Sequence, residues 1–352
     1  MHGAALVGNL IKNNALLNKK FRSDYINLSA SNNLNEIGKF GIFKLFRIFK
    51  VQCSVLIKLI FNRYDLCYVT LTSSGLGFYK DAVIVALVKL FRVKIVFHFH
   101  NKGVSKHKKN YLNNFLYSFI FKNTNSILLS DYLYYDLESY VKHSNIHICH
   151  NGIMPLNQIN AFVKPLNDAK CKLLFLSNMM KEKGVLELLN ACVELKNQNY
   201  NFECHFAGNW MDITEDYFNV FVNKNDLKNY VFAHGRIIGV EKFELFKSSD
   251  IFVFPTYYDC FPLALLEAMD FSLPIISTYE GGIQDLVIEN YNGFLIKQKD
   301  TNSLINKISH LISHPELRLK MGENSNKLFN EKFTLKQFEE KFSQIITELT
   351  IK

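Results

Sequence analysis

No two cysteines in this 352-residue sequence lie within a few residues of each other; the seven stand at 53, 67, 149, 171, 192, 204 and 260. That excludes a zinc knuckle and a CxxC redox pair, and it fits a reducing cytoplasm. The opening "MHGAALVGNL" lacks the n-region, h-region and cleavage site of a signal peptide. The apolar run "DAVIVALVKLF" is much shorter than a membrane span, and Lys89 and Arg92 close it. Internal repeats, low-complexity tracts and RNP-like or other nucleic-acid motifs are absent by eye, so a nucleic-acid partner is not expected. What is present is ordinary for a soluble globular enzyme: 48% hydrophobic and 21% charged residues, in a chain long enough for two domains.

Charge is spread unevenly. Residues 1–150 hold 20 Lys/Arg and 7 Asp/Glu, a net of 20 − 7 = +13, while the rest holds 21 and 25, a net of 21 − 25 = −4. The first half is therefore expected to face something anionic.

The second half alternates strand and helix. "KLLFLS" (172–177), "FECHFAG", "YVFAHG", "DIFVFP", "LPIIS" and "GFLI" read as short buried strands. Between the first two, Val185, Leu188, Leu189, Cys192 and Leu195 share one helical face. This is the pattern of a parallel α/β sheet, whose ligands bind beyond the carboxyl ends of the strands. The first half offers strands at 66–72, 93–100, 126–130 and 146–152. "HNGIMP" (150–155) reads as a hinge. The expected domains are 1–158 and 159–334, with a terminal amphipathic helix, 335–352, that packs back across the first. An α/β domain should open with a strand, yet a helical pattern begins at Gly3. A missing first strand, through truncation or a misplaced start, and a natural variant without it are both open.

Asp259 to Met269, "DCFPLALLEAM", carries the candidate chemistry. Pro262 suits a helix start, whose free N–H groups around Leu263 and Ala264 suit a diphosphate. Glu267 lies one turn further in, among aliphatic residues, where an ionised carboxylate needs a partner. Vicinal ribose hydroxyls or a neighbouring lysine would both serve. In "SNMMKEKGV" (177–185), Lys183 stands at a second helix start, as a phosphate-binding point charge or a solvated lysine.

The order strand–"SNMMKEKG"–helix, "AG", "HG", "SDIFVFPTYYDCFPLALLEAMDFSLPIIST", "GG", "NGFLI" resembles the group 1 (family 4) glycosyltransferases. The resemblance covers nearly all of 170–296. It implies an α/β architecture of two Rossmann-like domains facing a central cleft, the GT-B fold. Asp259 and Glu267 hold the spacing of the family's Glu-x7-Glu donor motif. By resemblance Glu267 binds the nucleotide ribose, and the backbone of Asp259, Cys260, Phe261, Pro262 and Leu263 meets the diphosphate or sugar. Lys183 matches the phosphate-binding lysine; Gly281 and Gly282 match the second glycine loop. Arg236, in "HGRI", joins the donor-binding set, in the loop on which base choice depends. Gly3 matches the glycine loop of the first domain. His100, ending "VFHFHNKG", matches the histidine loop and would orient hydroxyls at the reacting sugar. His98 is expected on the other side of the sheet. The sequence departs from the family at Asp259, one methylene shorter than Glu, at Cys260 and Pro262 in place of glycines, and at Asn178, where the family has Arg in its donor site.

The resemblance implies retaining transfer from a UDP- or GDP-linked sugar to a hydroxyl of a glycan or lipid-linked acceptor. The setting it suggests is bacterial surface polysaccharide or lipopolysaccharide synthesis. His100, Asp259 and Lys183 are the expected catalytic residues. No Asp-x-Asp occurs, so neither a metal nor any other cofactor is expected; Lys183 and a helix N-terminus would take the leaving-group charge. The segment 38–63 holds six Lys/Arg, no acid, and interleaved Phe, Ile and Leu. With "NKGVSKHKKN" (101–110) it suggests a cytoplasmic enzyme peripheral on the inner face of the plasma membrane, against anionic lipid; a core helix with a solvated lysine edge is the other reading. Alternatives for the whole chain are a non-catalytic sugar-nucleotide-binding subunit and an epimerase of the same architecture.

Overall fold

The computed structural model describes residues 3–28, 42–156 and 170–351. The chain forms two compact units: Met1–His150 together with Glu339–Lys352, and Asn151–Phe338. The expected boundary at 158/159 lies outside the described residues.

Among the described residues the first unit opens with the helices α1 (Gly3–Asn13), α2 (Ala15–Lys20) and α3 (Ile42–Phe61). Then follow β1 (Leu66–Thr70), α4 (Gly75–Leu90), β2 (Lys94–Phe99), α5 (Val104–His107), α6 (Tyr111–Phe121), β3 (Asn125–Leu128) and β4 (Ile146–Ile148). All strand pairs are parallel, in the order β1-β2-β3-β4. Five of the six residues of β2 are buried, because helices cover both faces of such a sheet and leave no polar side. Helix α4 packs on β2, α3 and α6. Phe78, Phe97, Tyr117 and Phe121 fill this core; the Phe78 and Tyr117 ring centroids are 4.6 Å apart.

The second unit runs β5 (Cys171–Leu176), α7 (Val185–Asn197), β6 (Phe202–Ala207), α8 (Glu215–Lys224), β7 (Val231–Ala233), α9 (Val240–Ser248), β8 (Ile251–Phe254), α10 (Leu263–Asp270), β9 (Ile275–Thr278), α11 (Ile283–Leu286), β10 (Gly293–Ile296), α12 (Thr301–Ser313) and α13 (Pro315–Lys332). Its six parallel strands lie in the order β10-β9-β8-β5-β6-β7. The chain thus winds one way from β5 to β7 and the other way from β8 to β10. The reversal falls between β5 and β8, the position where open α/β sheets bind ligands. The helical face read from α7, Val185, Leu188, Leu189, Cys192 and Leu195, is fully buried, and α7 packs on α12. Pro262 stands just ahead of α10 as its N-cap, with extended backbone at ψ 122°.

The last helix, α14 (Leu335–Ile351), starts in the second unit and from Glu339 belongs to the first. Its Phe342, Ile345 and Leu349 are buried, and the Phe342 and Tyr68 rings stand perpendicular with centroids 5.3 Å apart. No helix among the described residues is long and apolar enough to cross a membrane.

Candidate active site

Loops leaving β5, β8 and β9 converge at the strand reversal. The loop after β8 is tied to the loop after β5 by Thr256 Oγ1 donating to the Glu182 carbonyl at 3.0 Å and by Tyr257 N–H donating to the same oxygen at 2.9 Å. Gly184 lets the two backbones meet: its φ is +81°, and a Cβ there would stand 2.2 Å from the Pro255 carbonyl oxygen. Lys183 Nζ donates to the Tyr258 carbonyl at 2.7 Å and to Asp259 Oδ2 at 2.6 Å. The β9 loop joins through Gly282 N–H to the Cys260 carbonyl at 2.7 Å and through Asp259 N–H to Glu280 Oε1 at 3.2 Å. Gln298 Nε2 holds the other Glu280 oxygen at 2.5 Å.

Lys183, Asp259, Gly281 and Gly282 are therefore brought together, at the mouth of α10. Leu265 N–H donates to the Pro262 carbonyl at 3.2 Å, and the two N–H groups ahead of it, of Leu263 and Ala264, stand at the positive end of the helix, towards these loops. Phe261 is buried, its ring 6.0 Å from that of Phe333, so its side chain is committed to packing. Asn178 Oδ1 accepts from Asn209 Nδ2 at 3.0 Å, which gives the side chain a neutral partner. Arg236 is exposed in the turn after β7. Beside it His234 Nε2 and His205 Nδ1 are 2.9 Å apart; burial lowers the pKa of both rings.

Glu267 is not left to itself. Lys242 Nζ, on α9, lies 2.5 Å from Glu267 Oε1. Of the two partners open for this carboxylate, the lysine is present in this structure. Burial still outweighs that charge and raises the Glu267 pKa above the usual carboxylate value.

Gly3 opens α1 in the first unit. His100 follows β2, and the expectation for its neighbour is corrected: His98 does not face the other side of the sheet. The two ring centroids are 4.1 Å apart, because side chains two positions apart on a strand share a face. Burial drops His98 well below the ordinary imidazole value and His100 to about 4, so both rings are neutral near pH 7. The loop after His100 is anchored by Asp136, whose carboxylate accepts from the N–H groups of Gly103 (2.8 Å), Val104 (3.1 Å) and Ser105 (2.9 Å) and from Ser105 Oγ (2.8 Å). Asn101 ties the same loop to the β1 loop, accepting from Ser73 N–H at 2.9 Å.

Sequence reasoning missed Lys242, Glu280, Gln298 and Asp136. Lys242 lies 25 positions before its partner and Asp136 more than 30 after its donors, so no local spacing marks either. Among the described residues no group of three or more His, Cys, Asp or Glu side chains is disposed to hold a metal ion.

Comparison with known proteins adds the following. Residues 157–328 match the family of glycosyl transferases group 1. An uncharacterized glycosyltransferase of Methanocaldococcus jannaschii is 32% identical over 165 residues, which is 46% of this chain and 43% of that protein. The capsular polysaccharide biosynthesis glycosyltransferase CapM of Staphylococcus aureus is 27% identical over 180 residues, 49% of this chain and 43% of CapM. The matched stretch thus spans less than half the length of these curated relatives. Among solved structures, Anabaena HepE in complex with UDP superposes with a TM-score of 0.71 at 17% identity, covering 85% of this chain and 82% of that one. The stretch that matches the group 1 glycosyl transferases, 157–328, lies within the second unit of a chain of two parallel-sheet α/β units with the GT-B fold.

Proposed function

We propose that the chain transfers a sugar from a UDP- or GDP-linked donor to a hydroxyl of a glycan or lipid-linked acceptor, with retention of configuration and without a metal ion. The observation that carries this reading is the Lys183–Asp259 contact, set at the strand reversal and at the mouth of α10. Breaking the sugar–phosphate bond leaves a nucleoside diphosphate whose charge needs cations and N–H dipoles. Lys183 exchanges Asp259 for a phosphate oxygen, and the first amides of α10 take the rest. Glu267 accepts from the two ribose hydroxyls; a carboxylate offers enough lone pairs to keep Lys242 as well. His100, neutral, holds a sugar hydroxyl. The acceptor oxygen forms the new bond to the anomeric carbon and gives its proton to the departing phosphate, so no strong protein base is required.

The relative CapM and the UDP held by HepE support a nucleotide-sugar donor and bacterial surface polysaccharide synthesis as the setting. We assign α3 to an anionic membrane surface on the cytoplasmic side. Phe46, Phe49, Ile57, Ile60 and Phe61 are exposed on it, beside Lys44, Arg47, Lys50 and Lys58.

The test is a thermal-shift panel of UDP, GDP and their sugars, followed by turnover with a membrane extract. One nucleotide stabilises the wild type, and Glu267→Ala loses most of that shift. Stabilisation without nucleotide release under any acceptor condition would point to a binding subunit. Release without acceptor would point to an epimerase.

A further inference from the structure

His98 is wholly buried, yet it is neither a polar residue satisfied on all sides nor a simple filler. Its Nδ1 lies 2.9 Å from the hydroxyl oxygen of Tyr68, on the neighbouring strand β1 two positions before Thr70, which is its register partner. Its ring stacks on Phe342 of α14, with centroids 5.9 Å apart and planes at 22°, while the Tyr68 ring stands perpendicular to the same phenyl ring. The ring also lies beside that of His100, at 4.1 Å between centroids. His98 Nε2 and His100 Nε2 are both buried and without a hydrogen-bond partner. Two imidazoles in van der Waals contact with no mutual hydrogen bond constrain each other sterically. The rotation of the His98 ring is set by a hydrogen bond at one edge and a stacked phenyl on one face.

We propose that His98 is a positioning residue: gripped by Tyr68 and Phe342, its ring sets the orientation of His100. The proposal rests on the reading that His100 holds a sugar hydroxyl during transfer. It makes the last helix part of the catalytic apparatus, because the ring that braces His98 comes from α14. A sugar hydroxyl held by an imidazole that can swing loses the alignment on which the transfer rate depends.

Tyr68→Phe removes one oxygen and keeps the aromatic ring; Phe342→Leu keeps a buried apolar side chain and removes the stacking plane. In both, the side-chain nitrogen and carbon-bound proton resonances of His100, followed in histidine-labelled protein, are expected to move from their wild-type positions. With the donor that the wild type uses, kcat falls about tenfold or more, and the KM for that donor stays within about twofold. A purely structural role would lower the unfolding temperature and leave these two readouts unchanged. Unmoved His100 resonances in both variants overturn the proposal, and so do moved resonances with unchanged kcat. If the wild type transfers sugar from no donor, the transferase reading fails on its own account. The resonances then decide the positioning role alone: movement supports it and its absence overturns it.

Discussion

Lys183 Nζ stands 2.6 Å from Asp259 Oδ2, across 76 positions of sequence and at the ends of two strands that are direct neighbours in the sheet. The lysine and the carboxylate form an ion pair. On the proposed donor reading, a diphosphate competes with Asp259 for Lys183. Replacing Lys183 with Ala is expected to weaken UDP or GDP binding by about 2 kcal/mol, roughly thirtyfold. Titration calorimetry measures it, with the free nucleoside as a control that loses little.

The Lys242–Glu267 pair makes a separate prediction. Lys242→Met leaves the Glu267 carboxylate buried and unpaired, which raises its pKa further. A carboxylate whose folded-state pKa is raised binds more protons folded than unfolded, so its penalty grows as pH rises above the ordinary carboxylate value. Denaturant midpoints of Lys242→Met should fall at pH 7 to 8 and recover towards pH 5. The double variant with Glu267→Gln should be close to pH-independent over that window relative to wild type.

His100 behaves in the opposite sense. Its folded-state value of about 4 lies below the ordinary 6.5, so the unfolded chain binds the extra proton first. This group costs stability as pH falls from 6.5, reaching about 3 kcal/mol near pH 4. The pH dependence of the unfolding free energy should flatten in that range for His100→Gln.

Gly184 ties the β5 loop to the β8 loop without room for a side chain. Gly184→Ala combines a left-handed φ with a clash on a backbone carbonyl. The expected cost is about 3 kcal/mol in urea unfolding. Nucleotide binding should weaken in parallel, since Lys183 is the adjacent residue.

For the membrane assignment, Phe46→Glu with Phe49→Glu should abolish co-sedimentation with anionic vesicles at low salt, and wild-type binding should weaken at moderate salt. Failure of the wild type to bind anionic vesicles removes the assignment.

Much of the second unit was legible before folding. Its strands are short apolar runs ended by polar loops, and α7 buries the five residues that its 3.6-residue period selects. Lys183 and Asp259 could be singled out because strand ends gather at one edge of a parallel sheet. Their mutual contact could not, because it depends on strand order, and the order 8-5-6 is set by long-range packing rather than by local pattern. Glu267 declared its need for a partner through its aliphatic neighbours, but Lys242 sits on another helix with no spacing rule to connect them. The strand candidate at 146–152 shortened to Ile146–Ile148, since edge strands end where the neighbouring β3 ends. His98 was misassigned through a slip in strand period, and the structure restored the rule.

Because the final stretch from Glu339 onward folds with the first unit, that unit is discontinuous in sequence. A fragment ending at His150 would be an incomplete body: Tyr68 and His98 would face solvent where Phe342 now lies, and the apolar bed for Ile345 and Leu349 would stand open. Expressed alone, such a fragment should aggregate, and adding a synthetic peptide of residues 335–352 in trans should restore its solubility.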